Sequence, residues 1–102
     1  MADRRQSNNE RQAAAEDLAV AALGFIAAEP DRLGRFLALT GIAPASIRDA
    51  AREPQFLVGV LDHLMGEERL LLAFAAENDI DPEAVMRARD TLAGPHWERE
   101  MP

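Results

Sequence analysis

Residues 33–47 read Leu-Gly-Arg-Phe-Leu-Ala-Leu-Thr-Gly-Ile-Ala-Pro-Ala-Ser-Ile, and residues 71–85 read Leu-Leu-Ala-Phe-Ala-Ala-Glu-Asn-Asp-Ile-Asp-Pro-Glu-Ala-Val. At a constant offset of 38, Leu33, Phe36, Ala38, Ile42, Pro44 and Ala50 recur as Leu71, Phe74, Ala76, Ile80, Pro82 and Ala88, while Ile47 becomes Val85. Upstream, the same offset pairs Val20 with Val58, Leu23 with Leu61, Ile26 with Leu64 and Glu29 with Glu67. The matched positions are mostly apolar and helically spaced, as a packing unit used twice requires. A duplicated active site would repeat clustered polar residues instead. Alanine-rich helices can match by chance, but the Ile-x-Pro-x-x-Ile/Val spacing held in both copies argues against coincidence. The expectation is an all-α fold, a compact bundle of about five helices built from a duplicated helical unit.

Prolines and glycines set the remaining punctuation. Pro30, Pro44, Pro54 and Pro82 each stand where a periodic segment begins, and the first helical turn needs no N–H from them. Asp81-Pro82-Glu83 is the clearest start, with an acceptor at the cap and an acidic first turn. The pattern predicts a first helix from about Ala13 to Glu29 and a second over Asp31–Thr40. Gly41 should stop the second by turning left-handed. A short third helix follows from Pro44 to about Arg52, and then a long central one over Gln55–Asn78. Leu57, Leu61, Leu64 and Leu71 line one face of it, and Gly66 is where it would bend or break. The fifth helix runs from Pro82 to Leu92. The domain reading is a flexible arm over residues 1–12, one all-α domain over 13–94 and a polar tail over 95–102.

Composition restricts the chemistry. The chain has 102 residues, enough for one domain, and 48% of them are apolar, with 20 alanines among these. Cysteine, lysine and tyrosine are absent, and there are two serines, two threonines and two histidines. Disulfides, thiolate zinc sites, Schiff-base lysines and the lysine of a phosphate-binding loop are therefore excluded. A net charge of −7 opposes nonspecific attraction to nucleic acid and to anionic lipid. The apolar run Leu18–Ala28 is too short to span a bilayer. Met1–Gln12 lacks the apolar core of a signal peptide, so a cytoplasmic location is expected.

Four strings together resemble a known family: Glu29-Pro30-Asp31, Phe36 through Ile42, Ile47 through Pro54, and Phe74 through Pro82. They resemble the bacterial family called domain of unknown function 3572, over roughly Glu16 to Leu92. The resemblance implies a small helical cytoplasmic protein with no assigned activity, and it brings no catalytic residues with it.

Several clusters invite a functional reading. Ala38-x-x-Gly41-Ile42-x-x-x-x-Ile47 is similar to a helix-turn-helix corner, in which Arg48 and Arg52 would face phosphates. Asp49 and Glu53 beside them, Pro44 inside the turn and the acidic balance all weigh against it. Asp62, His63, Glu67 and Glu68 form the one histidine–carboxylate cluster, and His63 and Glu67 are spaced to share a helix face. Two ligands make a weak metal site. The ordinary reading is a polar strip in which Glu67 or Glu68 pairs with Arg69 or Arg87. Gly59 and Gly66 lie on the side of the central helix where another backbone could approach. Trp97 would fold back onto an apolar gap or anchor a partner, and Arg4, Arg5 and Arg11 could meet an acidic partner. The expectation is a non-enzymatic protein-interaction module with a protein partner or a second copy of itself. No cofactor, metal or small-molecule ligand is expected. The alternative is a nucleic-acid-binding accessory protein using the corner at Gly41.

Overall fold

The computed structural model describes residues 4–94, which form six α-helices and one 3-10 turn. They are α1 (Arg4–Ala27), α2 (Pro30–Thr40), the 3-10 turn Pro44–Ser46, α3 (Ile47–Ala50), α4 (Pro54–Met65), α5 (Glu68–Glu77) and α6 (Pro82–Ala93). Helices α1 and α4 pack together and α6 lies against both, while α2 rests on α1 and α5 on α4. Ile26, Phe36, Val60, Leu61, Leu64, Phe74 and Val85 are the largest sealed side chains of the single apolar core. No polar or charged side chain is buried among the described residues.

Two local signals act as their chemistry predicts. Gly41 is left-handed at φ 74°, and its N–H donates to the Leu37 carbonyl at 2.8 Å, closing α2. Asp81 is the N-cap of α6, its Oδ1 accepting from the Glu83 N–H at 3.0 Å.

Three boundaries differ from the sequence reading. Helix α1 begins at Arg4 rather than Ala13, so most of the expected arm is helical; residues 1–3 and the tail 95–102 lie outside the described residues. Arg4–Gln12 lacks an apolar stripe, and Asn9, Glu10 and Arg11 are exposed. Its arginines, glutamines and glutamate are nevertheless good helix formers, and no glycine or proline interrupts them. The central helix is also two helices, which makes six rather than about five. Gly66 ends α4, and Glu67 adopts extended backbone (φ −130°, ψ 100°) from which α5 starts afresh. Glycine weakens the helix by about 1 kcal/mol, and the break turns Phe74 and Ala75 into the core. Finally, the third helix shrinks to a 3-10 turn and the four residues of α3. Pro54 forces Glu53 to be extended, which ends that segment early.

The helix limits themselves recur. Ala27 and Met65 end α1 and α4, Pro30 and Glu68 begin α2 and α5, and Pro44 and Pro82 begin the 3-10 turn and α6, each pair 38 residues apart. Where the sequence pattern ran one helix over Gln55–Asn78, Glu68 starts a new helix as Pro30 does. Gly41 and its counterpart Asp79 (φ 53°) are both left-handed. Only the aspartate is strained by that geometry, so Gly41→Ala should cost about 1–2 kcal/mol and Asp79→Gly nothing. Equilibrium urea unfolding of the two variants checks this.

Candidate functional site

The His63 cluster is assembled from α4, the α4–α5 break, α2 and α6. His63 is half-buried, its ring edge-on to Phe36 with centroids 5.2 Å apart at 82°. Its neighbours along α4 are engaged elsewhere. Glu67 forms an ion pair with Arg35 of α2, tying α2 to the start of α5. The Arg89 Nε of α6 donates to Asp62 Oδ1 at 2.8 Å, and Asp90 lies 3.4 Å from the same guanidinium. The hydrogen bond to Asp62, reinforced by that carboxylate's charge, holds Arg89 above its ordinary range. The guanidinium is thus a fixed cation linking α6 to α4, not a proton donor. No group of three or more histidine or acidic side chains able to hold a metal occurs among the described residues. The ion pairs expected of the cluster, Glu67 or Glu68 with Arg69 or Arg87, are replaced by Glu67–Arg35 and by Glu83–Arg87 within α6.

At the Gly41 corner, Arg48 and Arg52 are exposed, as are Asp49 and Glu53. Arg48 lies on α3, which is one turn long, and Arg52 follows it in a turn. A recognition helix presents several residues along a groove; α3 has four in all.

Gly59 is exposed on α4, and a Cβ built there would meet nothing within 4 Å; the same holds for Gly24 on α1. No other part of the described chain approaches either glycine closely. Gly59→Ala and Gly24→Ala should therefore stabilise the fold by roughly 0.5–1 kcal/mol each through helix propensity. Thermal unfolding checks both. Gly66 differs, because a Cβ there would lie 3.4 Å from the Asp62 carbonyl of its own preceding turn. Trp97, with His96, lies outside the described residues.

The sequence reading missed the exposed apolar side chains: Val20 on α1, Leu39 on α2, Leu72 on α5 and Met86 on α6. One of them had a signal. At 100° per residue, Leu72 lies about 160° around the helix from buried Phe74, so it must face outward. Leu39 lies only about 60° from Phe36 by the same count, and no pattern distinguishes it from a core residue. A shallow cleft of about 560 Å³ between the start of α4 and the end of α6 is lined by Gln55, Val58, Leu92 and Ala93. None of these side chains ionises. No described helix is long and apolar enough to cross a membrane.

The family model described as Protein of unknown function (DUF3572) matches residues 12–95. No curated protein and no solved structure matches the chain.

Proposed function

The chain belongs to this family of unknown function, and within it we propose a small, non-enzymatic, cytoplasmic protein-interaction module built from a helical unit used twice. The observation that carries the proposal is the apolar surface. Leu39 is 67% exposed one residue before the end of α2, and Val20, Leu72 and Met86 are each about half exposed on three other helices. A single such residue is ordinary. On a chain of net charge −7 with open glycines in α1 and α4, they supply what a protein partner uses and a phosphate backbone does not. The partner is another protein or a second copy of this one.

The test compares the native chain with Leu39→Asp and Leu72→Asp, both at exposed positions where a carboxylate costs little folding stability. Light scattering across a concentration series reads self-association, and cross-linking in the native cell reads a partner. A defined dimer or cross-linked complex that disappears in one of the variants supports the module. A strict monomer whose cross-links are the same in all three proteins would overturn it.

A further inference from the structure

Residues 16–42 and 54–80 agree position by position in more than sequence. Leu23 and Leu61, Ile26 and Leu64, and Phe36 and Phe74 are buried as pairs. The junctions share several bonds, although the Gly41 N–H donates to the Leu37 carbonyl where the Asp79 N–H donates to that of Ala76. Glu29 and Glu67 are both extended, and their carbonyls accept from the Leu33 and Leu71 N–H groups, each at 3.0 Å. At the far ends, Thr40 Oγ1 donates to the Phe36 carbonyl at 2.8 Å and Asn78 Nδ2 to the Phe74 carbonyl at 2.9 Å. Left-handed Gly41 and Asp79 follow. Threonine and asparagine, glycine and aspartate, proline and glutamate do the same work at matched places. Such bonds are common at helix ends, as the Leu57 N–H to the extended Glu53 carbonyl and Thr91 Oγ1 to the Arg87 carbonyl show in this chain. What is particular is their recurrence at one constant offset.

One pair of ring contacts between the two segments is reciprocal, whereas the Arg35–Glu67 ion pair has no counterpart, its matched positions being Ala73 and Glu29. The Phe36 ring stands edge-on to His63, centroids 5.2 Å apart, and the Phe74 ring edge-on to Phe25 at 5.5 Å. His63 is the counterpart of Phe25, 38 residues on. Exchanging the two segments therefore turns one contact into the other, which is the property of a twofold interface. A head-to-tail repeat joins two different surfaces and gives no such exchange. Between the segments, α1 packs on α4, where buried Ala19 and Ala22 stand at the positions of buried Leu57 and Val60. Small residues on one helix offset large ones on the other, which keeps the shared core close-packed.

We infer that these segments are two copies of one helical hairpin, related by a local twofold axis. The surface by which each binds the other is a pairing surface, and its partner, a second copy of the same unit, is supplied within the chain. The third elements complete the picture. Helix α6 lies against both α1 and α4, burying Val85 and Ala88, whereas their counterparts Ile47 and Ala50 are only half-buried. One helix fills the groove between the two equivalent helices, and the corresponding element of the first copy is reduced to a 3-10 turn and α3. For the interaction module proposed above, the pairing also sets a stoichiometry. Exposed Leu39, Leu72 and Met86 correspond to Glu77, Gly34 and Arg48, while Val20 is matched by half-buried Val58, so a partner held by the first three binds once per chain.

The test is made on the full chain with Phe25→His, His63→Phe and the double exchange, each followed by thermal unfolding. His63→Phe gives Phe36 the ring that Phe74 already has, so its melting temperature should equal or exceed the native one. Phe25→His should lower it, and the exchange should recover part of the loss. A drop for His63→Phe as large as that for Phe36→Ala would overturn the equivalence. Nuclear Overhauser contacts in the native protein give a second reading independent of any variant. Ring contacts 36–63 and 25–74 should both appear as contacts within one chain, absent from isotope-filtered spectra of mixed labelled and unlabelled protein. One contact without the other, or both only in an exchanged dimer, would overturn the inference. The capture result for Leu39→Asp does not enter this test, so the two proposals can fail separately.

Discussion

Phe36→Ala and Phe74→Ala are each expected to cost about 3–5 kcal/mol in equilibrium urea unfolding, a large share of the 5–15 kcal/mol typical of a domain. Both rings are sealed, at 0% and 1% exposure. Each is also held edge-on by a ring of the other segment, a contact worth roughly 0.5–1.5 kcal/mol beyond area burial. Phe36 has a second such neighbour in Phe56, with centroids 6.0 Å apart. Truncation leaves a cavity bounded by helix backbones that cannot collapse freely. Leu72→Ala on the outer face of α5 is the control and should change stability by less than about 0.5 kcal/mol. If either phenylalanine variant behaves like the control, the shared core described above is wrong.

Leu61→Ala is expected to cost about 2–5 kcal/mol by the same measurement, with little change in the urea m-value. Leu61 is fully buried on α4, the helix that packs against α1, α5 and α6. Its counterpart Leu23 occupies the same position on α1 and is slightly more open, at 7% exposure. Leu23→Ala should therefore cost less than Leu61→Ala. The opposite order would mean that α1, not α4, carries the centre of the core.

What the sequence revealed was whatever depends on one residue or on a strong period. Gly41, Asp81-Pro82 and the two phenylalanines each express a local rule: a left-handed stop, a cap and first turn, a bulky apolar residue on a covered face. The helix break at Gly66-Glu67 was legible only as a choice. No proline marks it, and Leu70, Leu71 and Phe74 continue the apolar pattern across it; what decides is that α5 must turn Phe74 onto Phe25. The start of α1 was hidden for the opposite reason, because Arg4–Gln12 carries no apolar stripe to read. Within the candidate site, His63 and Glu67 carry the spacing of a pair. Phe36 and Arg35, 27 and 32 residues upstream of His63 and Glu67 respectively, draw them apart, and spacing along one helix cannot register a partner from another.

The position of α6 has a consequence for the order in which the fold can form. The last described helix packs directly on α1, the first, so loop closure over most of the chain must precede a complete core. A nascent chain growing from the ribosome can pair α1 with α2, and then α4 with α5, but Val85, Ala88 and Leu92 arrive last. Until they emerge, the faces of α1 and α4 that α6 will cover remain open to solvent and to other chains. The protein therefore completes its folding only after synthesis has passed α6, and it is during that interval that chaperone binding or aggregation would compete.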